Sequence, residues 1–168
     1  MGGGDGHFRV TLSVRKEPGA GPVYCKMESG SRFRQLKTVK LSCDTTYRFD
    51  ISFKPPQLLQ SLQIDGKEAE PIERSRDGTA CAYSVYHSTN DVQPCARGHR
   101  EELQIAMRVL ASGYLTTCLQ IKYYKPDDQS HCEWGSRLHC IELDCTSADE
   151  GSLVTVDKET YRKLGIES

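Results

Sequence analysis

Histidine and cysteine residues gather in the last third of the sequence and are the first candidates for chemistry. Five potential metal ligands fall within 15 residues: His131, Cys132, His139, Cys140 and Cys145. Along a strand, adjacent residues such as His139 and Cys140 point to opposite faces, so only one of them can join a shared site. The sequence therefore favours buried cysteines and surface histidines over a zinc site, and it predicts no metal and no cofactor.

Nucleophilic catalysis by cysteine requires an exposed thiolate beside a histidine. With eight cysteines and five histidines in the chain, some proximity arises by chance. The G-x-S-x-G elbow, the H-E-x-x-H helix, the phosphate loop and the G-x-G-x-x-G turn are all absent from the sequence. We therefore predict no catalytic residues and a protein that is not an enzyme, with a cysteine- or zinc-dependent enzyme kept as the minor alternative.

Two further features suit binding. A run of positive charges surrounds Phe33 and consists of Arg32, Arg34, Lys37 and Lys40. Such a run attracts an acidic peptide or an anionic membrane surface, although it is also typical of the solvated face of a strand. Trp134 lies in a loop-like segment where an indole at a binding surface competes with a simply packed side chain.

The elements that must position these residues are strands. Every second residue is apolar in three segments: Phe8 to Val14, Tyr47 to Phe53 and Leu103 to Val109. Shorter strand candidates are Val23–Met27, Thr38–Cys43, Leu62–Ile64, Ala80–Tyr86, Leu115–Tyr123 and Leu138–Cys145. Many short strands without amphipathic helices between them predict an all-β protein, a single antiparallel β-sandwich or barrel.

Turn and helix signals complete this interpretation. Asp65-Gly66 predicts a two-residue hairpin turn. Residues 91–102 and 126–135 are the longest predicted loops. At the C-terminus, Asp157 could cap a short helix over Lys158 to Leu164 that Gly165 would end.

Composition narrows the class of protein. A length of 168 residues suits one domain, for which we expect a flexible tail at residues 1–6 and a β-sandwich over 7–168. The 22 basic and 23 acidic residues lack the basic excess of a nucleic-acid-binding protein. The start, MGGGDG, does not resemble a secretory signal, so we expect a cytoplasmic protein with reduced cysteines.

Several segments, in order along the chain, resemble the cannabinoid receptor-interacting protein family. The most specific is residues 131–136, which read His-Cys-Glu-Trp-Gly-Ser. The others are Gly21 to Tyr24, Arg32-Phe33, Thr38 to Leu41, Tyr47, Phe53 to Pro55, Ile141-Glu142, Cys145, Ser152-Leu153 and Val156 to Glu159. A glycine-rich start, the many cysteines and residues 74–100 depart from the family pattern and indicate a divergent member or paralogue.

The resemblance implies a cytoplasmic accessory protein that binds the intracellular C-terminal tail of the type-1 cannabinoid receptor and suppresses its tonic signalling. Such a protein would reach the inner face of the plasma membrane only through the receptor. Arg32, Arg34 and Trp134 are then the candidate peptide contacts.

The family is also similar in fold to the Rho GDP-dissociation inhibitor, a carrier of lipidated cargo. That similarity implies an alternative function, in which an acyl chain attached to a peptide or protein is held between the two sheets. The candidate apolar slot consists of alternating aromatic and aliphatic residues: Tyr47, Phe49, Ile51, Phe53, Leu119, Ile121 and Tyr123. An ordinary filled core is the competing interpretation of the same residues.

Overall fold

The structure is a computed structural model that describes residues 6–30, 32–148 and 153–163. The described residues form twelve strands and one helical turn. In chain order they are β1 (His7–Glu17), β2 (Tyr24–Met27), β3 (Lys37–Ser42), β4 (Thr46–Lys54), β5 (Leu58–Ile64), β6 (Lys67–Ala69), β7 (Ile72–Arg76), β8 (Cys81–Ser88), β9 (Glu101–Leu110), β10 (Gly113–Tyr124), α1 (Gln129–Cys132), β11 (Ser136–Thr146) and β12 (Thr155–Lys163). The all-β prediction is confirmed.

The strands form one curled sheet that folds back on itself as two layers. The first layer has the order β12-β11-β1-β4-β8-β7, and the second has the order β6-β5-β9-β10-β3-β2. The strand β11 belongs to both layers, because Ser136 and Arg137 pair with β2 whereas Ile141 to Thr146 pair with β1. Among the described strands every pairing is antiparallel except β3 with β10.

The alternation found in the sequence fills the space between the layers. In β1, β4 and β9 every second side chain is buried, as the pattern predicted. All the shorter strand candidates also lie in or across strands. Burial of one face of β1, β4 and β9 fixes their register, since a slip by one residue would turn the whole apolar set outward.

The Asp65-Gly66 turn is confirmed between β5 and β6. Both residues have positive φ angles, 55° and 79°, as the favoured two-residue hairpin turn requires. Residues 89–100 form the long loop between β8 and β9, and residues 125–135 contain the short helix α1.

The predicted C-terminal helix is wrong. Residues 155–163 form the strand β12, which pairs antiparallel with β11. On the side of β11 away from β1, backbone N–H and C=O groups are open to pairing. Residues 155–163 form backbone hydrogen bonds with these groups, which stabilises them more than an isolated helical turn would. Val156 and Tyr161 also pack against the core. Leu164, Gly165 and Ser152 lie outside the described residues.

The expected tail at residues 1–6 falls almost entirely outside the described part of the chain, which begins at Gly6. A single domain over residues 7–168 stays a prediction. Within the described ranges, no helix has the length and apolar character needed to cross a bilayer.

Candidate basic groove

A groove opens on the outer face of the second layer and has a volume of about 930 Å³. We call it the basic groove, because five cations line it: Lys26, Lys40, Arg97, Lys122 and Lys125. Trp134, Met27 and Tyr124 add apolar surface to the same walls. One carboxylate, that of Asp128, lines it as well.

Three adjacent strands bring the lysines together. Lys40 of β3 is the register partner of Lys122 of β10, and β2 runs along the other side of β3 with Lys26 opposite Thr38. The neighbouring residues Val39 and Ile121 are fully buried in the core. Because side chains alternate along a strand, the lysines must point away from the core into the groove.

Lys40 holds the far wall of the groove, which the 125–135 loop forms. Its Nζ donates hydrogen bonds to the carbonyl oxygens of His131 at 3.0 Å and Trp134 at 2.6 Å. The same ammonium lies 5.4 Å from the centre of the Trp134 ring, within cation–π range. The 125–135 loop is thereby held against β3, while the indole itself stays 71% exposed.

A glycine permits this close approach. Gly135 has a φ of 118°, in a region that side-chain-bearing residues rarely adopt. A Cβ at this position would lie 3.0 Å from the carbonyl oxygen of Cys25 on β2. Gly135 therefore lets the chain turn tightly from Trp134 into β11.

The lysines of the groove carry an electrostatic cost. Burial first, and then the charges of Lys26 and Lys122, hold the pKa of Lys40 below its ordinary value. Burial, with Arg100 and Lys26, likewise lowers the pKa of Lys122. The folded protein therefore concentrates positive charge where water is partly excluded.

The described residues supply little negative charge in return. Lys26, Arg97, Lys122 and Lys125 form no ion pair with any described carboxylate. The carboxylate of Asp128 is engaged by His131, whose Nδ1 lies 2.9 Å from Asp128 Oδ1. The groove is therefore suited to bind an anionic ligand beside an aromatic surface.

A buried ion pair adjoins the near wall of the groove, which consists of Lys26 and Met27 of β2 and of Pro94, Cys95 and Arg97 of the 89–100 loop. Arg100 Nη2 and Glu28 Oε2 lie 2.9 Å apart, and both side chains are at most 7% exposed. Thr38 Oγ1 donates a further hydrogen bond to the same carboxylate oxygen. The guanidinium of Arg100 also lies 4.3 Å from the ring centre of Phe33. These contacts join Glu28 and Phe33 to the residue that precedes β9.

The 89–100 loop completes that wall. Cys95 donates its N–H to the Tyr123 carbonyl at 2.9 Å, and the Tyr123 N–H donates to Cys95 Sγ at 3.3 Å. On its other side this loop borders a smaller cavity of about 440 Å³ lined by Asp65, Glu101 and Glu102. The cavity on that side of the loop is therefore acidic, in contrast to the basic groove.

We expect Lys40→Met to loosen Trp134. The substitution removes both hydrogen bonds to the 125–135 loop, and hydrogen bonds from charged groups contribute about 1.5–3 kcal/mol each. The fluorescence anisotropy of Trp134, the only tryptophan in the chain, should fall. Lys122→Met is the matched control, because Lys122 donates no hydrogen bond to that loop. Equal anisotropy in the two variants would contradict this role of Lys40.

The histidine and cysteine cluster does not converge on a common centre. Among the residues that the structure describes, no group of three or more His, Cys, Asp or Glu side chains is placed to hold a metal. Six of the eight cysteines are buried, and Cys95 and Cys118 are partly exposed. Burial raises the pKa of Cys132, which lies within the 125–135 loop with its Sγ 3.4 Å from Ser42 Oγ.

Comparison with known proteins places this chain in a family. The model of the CB1 cannabinoid receptor-interacting protein 1 family matches residues 4–161. Proteins of that name from Bos taurus, Mus musculus and Homo sapiens are each 33% identical over 165 residues, covering 96% of this chain and 99% of each relative. The chain belongs to the CB1 cannabinoid receptor-interacting protein family. At this identity it is a divergent member, and the resemblance seen in its sequence is confirmed.

The segment that most resembles the CB1 cannabinoid receptor-interacting protein family lies at the basic groove. Of residues 131–136, the groove is lined by His131, Trp134, Gly135 and Ser136. Lys40, from the Thr38 to Leu41 match, is the residue that holds this segment in place. Two segments whose sequences resemble the family therefore meet in one structural feature.

The structure brings together only part of the candidate peptide contacts that the family resemblance implied. Trp134 lines the groove. Arg32 lies beside Gly98 at the 89–100 loop, with its guanidinium 5.1 Å from the Phe33 ring centre. Arg34 is 81% exposed, and its Nη1 bonds Glu102 at 2.6 Å. These roles in this member of the family stay predictions.

The seven residues of the candidate slot are all buried in the core of this family member. Four of them lie in β4 and three in β10, and none is more than 4% exposed. Tyr123 also borders the basic groove.

Sequence reasoning missed four groove residues of this family member: Lys26, Arg97, Lys122 and Lys125. Alternation along β10 indicates that Lys122 points outward. However, nothing in the local sequence indicates that β3 lies beside β10, since this pairing is parallel and joins distant segments.

Proposed function

We propose that the protein is a non-enzymatic accessory protein that binds the intracellular C-terminal tail of the type-1 cannabinoid receptor. Its curated relatives are named for interaction with that receptor. The observation that carries the proposal is the basic groove itself, where five cations face a single carboxylate beside an exposed indole. Such a surface complements an acidic peptide and has the aromatic content of protein-binding sites.

The chemistry of the groove supports binding rather than catalysis. The cysteines that line it, Cys25 and Cys95, meet no histidine by a hydrogen bond among the described contacts. His131 is instead engaged with Asp128. A nucleophile with an adjacent base is what covalent catalysis requires.

Binding by the tail is the first expected result. In a calorimetric titration, the unmodified receptor tail peptide should bind with an affinity in the micromolar range, which corresponds to about −8 kcal/mol. A peptide of the same composition in scrambled order is the control for nonspecific charge attraction. Absence of heat with the native sequence would reject the proposed function.

Suppression of tonic receptor signalling is the consequence that we propose for the cell. Expression of the protein beside the full-length receptor should lower ligand-independent activation of the G protein. A receptor truncated before its tail should not respond, since it lacks the docking segment. This arrangement also places a cytoplasmic protein at the inner face of the plasma membrane only while it is bound.

A second candidate function is the carriage of lipidated cargo, in a manner similar to the Rho GDP-dissociation inhibitor. The observation that favours it is the buried apolar cluster to which β4 and β10 contribute residues such as Phe49 and Ile121. Each buried CH₂ of an acyl chain contributes about 0.8 kcal/mol. A palmitoyl group on the tail peptide should then raise the affinity strongly, whereas equal affinity with and without it would reject the carrier function.

A further inference from the structure

We infer that the basic groove is the docking site of the receptor tail, and that it recognises an extended segment rich in Asp and Glu with an apolar side chain placed on Trp134. This inference rests on the proposed function and specifies its site and the chemistry of its ligand.

Like charges lie side by side in the basic groove. Lys40 and Lys122 are direct neighbours across β3 and β10, and Lys26 lies on the strand at the other side of β3. Like charges directly opposite each other destabilise a sheet. An anion placed between them would remove this repulsion, so the bound state is favoured by a term that the free protein lacks.

The cations of the groove lack carboxylate partners among the described residues. Some other exposed cations among the described residues form ion pairs, as Arg9 does with Asp144 and Lys67 with Asp91. Lys26, Arg97, Lys122 and Lys125 have no such partner among the described residues. Their charges are available to a ligand without first breaking an internal ion pair.

Exposed apolar surface lies next to these charges. Trp134 is 71% exposed and Met27 is 59% exposed, and both line the groove. The volume of about 930 Å³ is that of a site for a sizeable organic ligand and far exceeds what one inorganic anion fills. A peptide segment of several residues supplies both the carboxylates and the apolar side chain.

Contacts within the protein hold the walls of the groove in shape. Lys40 holds the Trp134 wall, and the Arg100–Glu28 pair holds the opposite loops. A preformed site loses less conformational entropy when a ligand binds. Arg34 does not line the groove, and its guanidinium is already engaged by Glu102.

The test is calorimetry of the full chain with the tail peptide, comparing two double charge reversals. We expect Lys26→Glu with Lys122→Glu to weaken binding at least about tenfold, because both cations contact the docked carboxylates. The matched control is Lys54→Glu with Lys158→Glu, which makes the same change in net charge at two exposed lysines outside the groove and should leave the affinity within about twofold.

Two supporting readouts use the native residues. Tail binding should shift the emission of Trp134, and a tail peptide whose Asp and Glu are replaced by Asn and Gln should lose most of its affinity. The milder variant Lys26→Gln with Lys125→Gln should also weaken binding, which protects the test against misfolding of the charge reversal.

The outcomes separate the two proposals. Binding by the native protein that neither groove variant weakens would overturn the groove as the docking site and leave the proposed function standing. Absence of tail binding by the native protein would overturn both. If vesicles containing phosphatidylinositol bisphosphate bind through these lysines while tail binding is unchanged by the reversals, the groove is a membrane site and the inference is wrong.

Discussion

Replacing Arg100 by methionine is expected to lower the free energy of unfolding by about 3–5 kcal/mol. The substitution leaves Glu28 buried, at 6% exposure, without its cationic partner. Removing one member of a buried ion pair leaves the other charge uncompensated in a poorly solvating environment. The near wall of the basic groove should weaken with it, because Arg100 also packs on Phe33. Chemical denaturation with urea measures the loss.

Two variants test the cause. Glu28→Leu combined with Arg100→Met removes both charges and should recover most of the stability, since apolar replacement of a whole buried pair is often neutral. Arg34→Met removes a pair that is 81% and 50% exposed and should cost less than about 1 kcal/mol. If the single Arg100 variant were as stable as the Arg34 variant, the pair would not stabilise the wall.

The same pair gives the stability an acid dependence. Burial acts to raise the pKa of Glu28, but hydrogen bonds from Thr38 and Arg100 outweigh it and hold the pKa below its ordinary value of 4.5. A carboxylate with a lowered pKa stabilises the fold fully above its unfolded pKa, and this contribution disappears as the pH falls through the folded pKa. The double variant should therefore lose less stability than the native protein in acid below pH 4.5.

Phe49→Ala is the substitution that distinguishes a filled core from an open cargo slot. Phe49 is fully buried, and its ring meets the edge of His87 at a centroid distance of 6.1 Å. In a filled core, truncation of phenylalanine costs about 3–5 kcal/mol, because a cavity remains where the ring was. We expect a loss of this size in the free energy of unfolding, measured by thermal and urea denaturation.

Tyr86→Ala is the control, because this aromatic residue is 46% exposed on the neighbouring strand β8. It should cost far less than Phe49→Ala. A small loss at Phe49, below about 1 kcal/mol, would mean that the interior is loosely filled and has room for an acyl chain. Measured with the palmitoylated tail peptide, such a result would strengthen the carrier function.

The strands were largely predictable, and the groove was not, for one physical reason. Alternation is a local property, and in β1 and β4 it places side chains correctly before any partner strand is known. Alternation does not identify β12, because only Val156, Thr160 and Tyr161 of its residues are partly buried and they are not evenly spaced. Its structure depends on the open side of β11, which is a tertiary property.

Trp134 was found from its type and its loop, whereas Lys122 and Lys26 were not. Their significance depends on which strands are neighbours, and β3 meets β10 only after the chain has passed through six further strands. A lysine on a strand surface is by default solvated. Three lysines on adjacent strands become a binding surface only through the topology.

The strand β11 pairs with strands of both layers, and this affects how the chain folds during its synthesis. A hydrogen bond between Arg9 and Asp144 joins residues that are 135 positions apart, so β1 emerges from the ribosome long before its partner. Until residues 136–146 are synthesised, neither layer has the strand that joins it to the other. Folds dominated by such distant pairings form slowly and leave strand edges exposed meanwhile. The nascent chain should therefore depend on chaperones for most of its synthesis, and the basic groove should form only near its end.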